Sequence, residues 1–218
     1  MDNNRHSNEE TAGHSNLVVC IGRQLGSGGR LVAKQLAEEF GCQLLDKEIL
    51  NLAAKESGFS ERFFEQNDEQ KGFMKSLFHL HTPHVSDTNF YGSRFSQESL
   101  FLFQCDAIRK AAAEGPCVFV GRCADYVLRD HDKLVSVFIT AHMEERLRRV
   151  MERDGCNEEE AQKIIHAKEG ARSTYYNYYT GWRWGDSAHY DLCVNSSLLG
   201  IDGTARLISQ FIRERFSL

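Results

Sequence analysis

Val18-Val19-Cys20-Ile21-Gly22-Arg23-Gln24-Leu25-Gly26-Ser27-Gly28-Gly29-Arg30 begins as an apolar run of β-formers, breaks into a glycine-rich turn and continues into a helical pattern. A strand, a turn able to take positive φ, and a helix N-terminus bring backbone N–H groups and the positive end of a dipole to one point, which suits a phosphate. The stretch predicts an anion cradle. A glycine-rich strand-to-helix turn with no ligand is the plainer alternative, and the rest of the chain decides between them.

The turn approximates the phosphate-binding signature GxxxxGK[S/T], in which the lysine reaches the terminal phosphates and the hydroxyl holds Mg²⁺. With Gly28 as the second glycine, Gly29 takes the lysine's place and Arg30 the hydroxyl's; with Gly29 instead, Arg30 and Leu31 take them. In both alignments the signature's metal ligand is absent, so no metal-binding residue is assigned in the chain.

Outward from the turn, Val32, Leu36 and Phe40 recur every fourth residue beside Ala33 and Ala37, which predicts a helix lying on a sheet, with Gly41 as its terminator. Gln43-Leu44-Leu45 reads as a second strand ending at Asp46-Lys47. Glu48 to Glu56 and the apolar positions Phe63, Phe64, Phe73, Leu77 and Phe78 suggest helices, and His79 to Gln97 a polar loop or mobile subdomain. His79, His81 and His84 lack the partners of a metal site and read as loop residues. A third helix runs through Leu100, Ile108 and Ala112 to Gly115-Pro116. Cys117 to Val120 is an unbroken apolar run, expected of a strand buried on both faces, and leads directly into Gly121-Arg122-Cys123-Ala124-Asp125.

Leu134 to Ile139 predicts a fourth strand, with Thr140 capping a helix outlined by Met143, Leu147, Val150 and Met151. Arg146, Arg149 and Arg153 share a face of that helix. Asn157 and Glu160 form a capping-box pattern at the start of the next helix, along which Lys168, Arg172, Tyr175 and Tyr179 make a stripe. Asp191 to Asn195 is a fifth strand, and Asp202 is expected to cap the last helix through Ala205, Ile208, Phe211 and Ile212. Five strands alternating with helices predict a three-layer α/β fold with a parallel sheet. In such a sheet the glycine turn, Arg122, the arginine face, Lys168 and Arg172 can converge on one edge. An arginine face paired with Glu144, Glu145 and Glu152 is the plain alternative for the fourth helix.

The chain has 218 residues, enough for one sizeable domain, and 26% charged residues. Its net charge of -5 argues against a general binder of nucleic-acid polymers. The seven cysteines show no CxxC pair, and Cys20, Cys117 and Cys193 fall in apolar runs, which favours a reducing compartment. No stretch is apolar enough to span a membrane, and residues 1–16 are polar and without periodicity, so a cytoplasmic protein with a disordered lead-in is expected.

VVCIGRQLGSGGRLVAKQLAEEFG, LLDKEIL, CVFVGRCADYVL, VFITAHMEERLRRVMERDG, KEGARSTYYNYYTGWRWGD and YDLCVN together resemble the cytidylate kinase-like family of P-loop nucleoside-monophosphate kinases, in register over about residues 17–216. The resemblance implies a P-loop NTPase fold with a monophosphate-binding subdomain near 47–100 and a lid near 146–185. It implies ATP-dependent transfer to a nucleoside monophosphate, CMP or dCMP first. By the same resemblance Gly26, Ser27, Gly28, Gly29 and Arg30 would surround the ATP phosphates, with Arg30 in a catalytic role. Asp46 and Lys47 would open the acceptor subdomain, and Arg122 would hold the acceptor phosphate beside Asp125 and Lys168. Arg149 and Arg153 would belong to the lid, and Arg172, in Glu169-Gly170-Ala171-Arg172, would bridge donor and acceptor. A nucleotide-binding regulatory module without transfer activity, or a kinase of another small phosphorylated metabolite, remain as alternatives. The aromatic run Tyr175, Tyr176, Tyr178, Tyr179, Trp182 and Trp184 is expected mostly to pack.

Overall fold

The computed structural model describes residues 16–46 and 90–218. Lys47, the helices expected between 48 and 78, and His79, His81 and His84 lie outside the described residues. The chain divides into two units, Met1–Asp46 with Ala111–Leu218, and Lys47–Lys110. Every contact described below belongs to the first.

Five strands, β1 (Val18–Arg23), β2 (Gln43–Leu45), β3 (Cys117–Val120), β4 (Leu134–Thr140) and β5 (Leu192–Asn195), form one sheet in the order β2-β3-β1-β4-β5. All neighbours are parallel. Cys20 pairs with Phe119, and Leu45 with the same Phe119, so the C-terminal ends of β1, β2 and β3 are level. β1 lies between β3 on one side and β4 on the other, and a strand order that reverses in this way opens a crevice at the carboxyl edge.

Period-two alternation sorts the two faces. Val19, Ile21, Val118, Val120, Val135, Val137 and Ile139 pack on one side with Val32 and Leu36 of α1 (Gly29–Glu39) and with Ile208 and Ile212 of the C-terminal helix. The other face carries the short helix α3 (Ala124–Val127), and Phe138 meets Trp184 and Tyr190 there. Gly41 takes φ 62°, as expected of a residue just past the helix end.

Four local expectations are corrected. The third helix, α2, starts at Phe90 and runs to Glu114, so Phe90 to Gln97 is helical rather than loop; polar helix formers such as Gln97 and Glu98 need no apolar period to stay in a helix that is already propagating. Thr140 does not cap α4 (Met143–Asp154): its hydroxyl donates to the Val194 carbonyl, and His142 occupies the N-cap. Asp202 accepts from Gln35 Nε2 at 2.7 Å. The final helix, α6 (Ser196–Phe216), starts eight residues after Ala188 closes onto Asp186, with Asn195 accepting from the Ser197 N–H, and is interrupted at Gly200 (φ 68°). Cys193 is exposed because β5 is an edge strand, whereas Cys20 and Cys117 are buried. The capping box at the head of α5 (Glu158–Thr180) forms with both of its bonds, Glu160 N–H to Asn157 at 3.0 Å and Asn157 N–H to Glu160 at 3.1 Å.

Candidate functional site

The glycine turn leaves β1 at Arg23 and enters α1 at Gly29, with Gly26 (φ 79°) and Gly28 (φ 77°) both left-handed. At Gly26 the requirement is double: a Cβ there would stand 2.6 Å from the Arg146 carbonyl oxygen and 2.8 Å from its Cα. The turn is thus seated directly on the backbone of α4. Ser27 is fully buried; its hydroxyl donates to the Gln24 carbonyl at 2.9 Å, and its own carbonyl accepts from Ser196 Oγ at 2.7 Å.

Side chains from α4 and α5 fasten the turn from the other side. Leu25 packs with Val150, Ala161 and Ile165 in a small second core. Arg146, 3% exposed, donates from Nε to the Leu25 carbonyl at 2.8 Å. Glu169 Oε1 accepts the Leu25 N–H at 3.1 Å and stands 2.6 Å from Arg146 Nη2, close enough for strong attraction though Nη2 lacks hydrogen-bond alignment. Arg149 Nη1 donates to the Gly26 carbonyl at 3.0 Å while its Nη2 pairs with Glu145. The arginine face read in the sequence therefore splits in role: Arg146 and Arg149 turn to the glycine turn, Arg148 pairs with Glu145 and Glu152 at the surface, and Arg153 pairs with Asp154 at 2.6 Å.

Across the crevice, Asp46 follows the last residue of β2, is buried and pairs with Arg30 Nε at 2.9 Å. Arg23 Nη2 stands 3.8 Å from the other oxygen of that carboxylate. Arg172 of α5 donates from Nη1 to the Arg23 carbonyl at 3.1 Å. β3 ends in three consecutive left-handed residues, Gly121 (φ 76°), Arg122 (φ 62°) and Cys123 (φ 57°). The arginines repel one another. Burial first, and then Arg172, lower the Arg23 guanidinium to about 10, with Asp46 opposing and Arg122 and Arg30 adding to the repulsion. Arg172 is lowered as well, by burial first; Glu169 and Asp46 oppose that shift, and Arg153 and Arg122 reinforce it.

Of the predicted residues, Arg30 pairs with Asp46 and Arg172 reaches the Arg23 carbonyl at this sheet edge, while Arg122 acts electrostatically on Arg23 and Arg172, Arg153 on Arg172, and Lys168 on Asp154 next to Arg153. Asp125 does not join them. Its carboxylate is buried and accepts the Tyr176 hydroxyl at 2.6 Å, tying α3 to α5, and burial raises its pKa against that bond. Of the aromatic run, Tyr176 is buried, Trp182 stacks on His189 and meets Tyr126 edge-on, and Trp184 meets Phe138, so these three pack; Tyr178 is exposed. Arg23, which faces Asp46, and Glu169, which binds the Leu25 N–H, take part in this arrangement although their sequence positions do not announce it.

A glycine turn between the first strand and helix of a parallel sheet, ringed by guanidinium groups, defines a P-loop phosphate-binding domain. The model of the cytidylate kinase-like family matches residues 18–198, and the chain belongs to that family. It is similar to the cytidylate kinase of Methanopyrus kandleri, 25% identical over 204 residues covering 90% of this chain and 93% of the relative. The cytidylate kinase of Pyrococcus horikoshii is 27% identical over 198 residues, 90% and 88% of the two chains. Among solved structures, an uncharacterized protein from Eubacterium ventriosum superposes with a TM-score of 0.67 at 29% identity, covering 90% of this chain and 98% of that one. Among the described residues no helix is long and apolar enough to cross a membrane, and no group of three or more His, Cys, Asp and Glu is arranged to hold a metal ion.

Proposed function

We propose that this chain transfers the γ-phosphoryl group of ATP to a nucleoside monophosphate, with CMP or dCMP as the first acceptors. The observation that carries the proposal is the gathering of Arg23, Arg30 and Arg172 beside the glycine turn, with Arg30 Nε 2.9 Å from Asp46 and Arg172 Nη1 3.1 Å from the Arg23 carbonyl, where burial first and the neighbouring guanidinium groups after it lower Arg23 and Arg172. Cations held together against their own repulsion are what a pocket for two polyanions requires. In the reaction an ionised oxygen of the acceptor phosphate attacks the γ-phosphorus, the bond to the β–γ bridging oxygen breaks, and that oxygen leaves on ADP with the electron pair. No proton must be removed, so positioning and charge neutralisation are the protein's task.

In this assignment Gly26 to Arg30 surround the ATP phosphates, Arg122 binds the acceptor phosphate with Asp46, and Arg172 spans the two. Arg149, Arg153 and Lys168 belong to the helices that close over ATP. Mg²⁺ enters as part of the MgATP substrate and neutralises phosphate charge. The Ser27 hydroxyl is fully buried and engaged with Gln24, so the turn offers no hydroxyl in the signature's manner.

That engaged hydroxyl, with Gly29 in place of a lysine, favours a second reading: a nucleotide-binding regulatory module. One experiment separates the two, ADP release coupled to a chromogenic reporter with MgATP and a panel of nucleoside monophosphates. Turnover highest with CMP or dCMP is expected. Calorimetric binding of nucleotide with no turnover for any acceptor overturns the kinase assignment in favour of the module.

A further inference from the structure

The space that a side chain at Gly29 would need is filled by Arg23. A Cβ on Gly29 would stand 2.6 Å from Arg23 Cβ and 3.0 Å from its Cγ. At the other end of the same side chain, a Cβ on Gly121 would overlap Arg23 Nη1. Two glycines, one opening α1 and one closing β3, therefore leave room for a single arginine that crosses from the end of β1 under the turn to the end of β3.

We propose that Arg23 supplies the cation that the lysine supplies in GxxxxGK[S/T] chains, its guanidinium binding the phosphoryl group in transit, and that Gly29 and Gly121 lack side chains in order to admit it. The inference rests on the kinase assignment for its chemistry. Arg30 is the other claimant for this charge, but its Nε is paired with Asp46 at 2.9 Å and its side chain is 62% exposed. Arg23 is four-fifths buried, is held at its carbonyl by Arg172, and stands 3.8 Å from the nearer Asp46 oxygen, an ion-pair distance that leaves its donors able to turn to a bound anion. A guanidinium at this point also has an advantage over an ammonium: its planar fork grips two oxygens of a phosphoryl group at once. The repulsion from Arg172, which adds to burial in lowering its pKa, is relieved when an anion enters, so the group is poised to be neutralised by the substrate.

The test is relocation of the charge. Arg23→Ala is expected to lower kcat by about a hundredfold or more, a usual result of deleting a charge that acts in the transition state, with a smaller effect from Arg30→Ala. Gly29→Lys alone is expected to be impaired, because the new stem collides with Arg23. The double variant Arg23→Gly with Gly29→Lys, which removes the Cβ that would stand 2.6 Å from the new one and restores the signature lysine, is expected to recover at least tenfold over Arg23→Gly alone. A merely structural Arg23 would give no such recovery. Calorimetry with inorganic tripolyphosphate provides a readout independent of turnover: Arg23→Ala should weaken binding at least tenfold, while Arg148→Ala, a charge change of equal size on the outer face of α4, leaves it unchanged. If Arg23→Ala does not fold, Arg23→Lys is compared with the parent protein in both assays and is expected to lose at least fivefold in kcat. Retained tripolyphosphate affinity in the Arg23 variants, or a double variant no better than the single, overturns the inference. Absence of turnover in the parent chain with tripolyphosphate binding still dependent on Arg23 overturns the kinase assignment and leaves the anion site standing.

Discussion

Glu169→Ala removes one carboxylate that performs two tasks, accepting the Leu25 N–H at 3.1 Å and facing Arg146 Nη2 at 2.6 Å. Arg146 is buried, and removing the partner of a buried charge costs about 3–5 kcal/mol. The lost bond to Leu25 adds about 1 kcal/mol. Glu169 is itself 20% exposed, so water entering the vacated space offsets part of this, and a net loss of about 3 kcal/mol is expected. In a chain of this length that corresponds to a fall in Tm of roughly 6–12 °C. Urea unfolding followed by tryptophan fluorescence reports it directly, since Trp182 and Trp184 are packed against His189 and Phe138 at the far end of the same helix. Pairing the substitution with Arg146→Met replaces charge by an apolar stem, and the double variant should recover at least half of the loss. Strict additivity of the two substitutions, or a loss below 1 kcal/mol for Glu169→Ala, would refute the claim that this pair fastens α5 to the glycine turn.

Gly26→Ala forces a left-handed alanine and a 2.6 Å approach to the Arg146 carbonyl, whereas Gly41→Ala forces only the left-handed backbone, with nothing within 4 Å; about 1 kcal/mol is expected at Gly41 and at least twice that at Gly26, measured by urea unfolding. Tyr176→Phe takes from buried Asp125 the hydrogen bond that opposes the upward shift of its pKa. Because that shift is upward, the folded state binds the extra proton, and stability falls as pH rises from the ordinary carboxylate range through the raised value. The deficit of Tyr176→Phe against the parent should therefore grow between pH 4 and pH 7, and a deficit independent of pH would show that the phenol does not bear on the carboxylate. Arg30→Ala should raise KM for ATP or the acceptor and cost more stability than the loss of an ordinary surface pair, because it withdraws a 2.9 Å partner from buried Asp46.

The layers and the strand ends were legible because burial dictates them. Val18 to Ile21 and Cys117 to Val120 are apolar throughout as central parallel strands must be, and the residues that follow them are polar because that edge is open. The same topology accounts for Arg122 and Arg153 acting electrostatically on Arg172. Arg23 was not legible as a site residue: it continues the strand VVCIGR, and its place is set by Gly29 and Gly121, the latter 98 positions away along the chain from Arg23, through contacts that no local pattern encodes. Glu169 was visible only as a neighbour of Arg172, since its partner Leu25 lies in another element. Asp125 was expected at the pocket because it follows a strand end, but one helical turn rotates it inward to Tyr176.

The left-handed run at Gly121-Arg122-Cys123 sets the interests of folding and of chemistry against each other. A glycine at position 122 would relax the backbone there by about 1 kcal/mol, and would delete a guanidinium that acts on Arg23 and Arg172. Any selection for a hardier chain alone would erode that arginine, so its survival in a variant pool challenged first by heat and then by substrate scarcity would measure how much the cell values the second over the first.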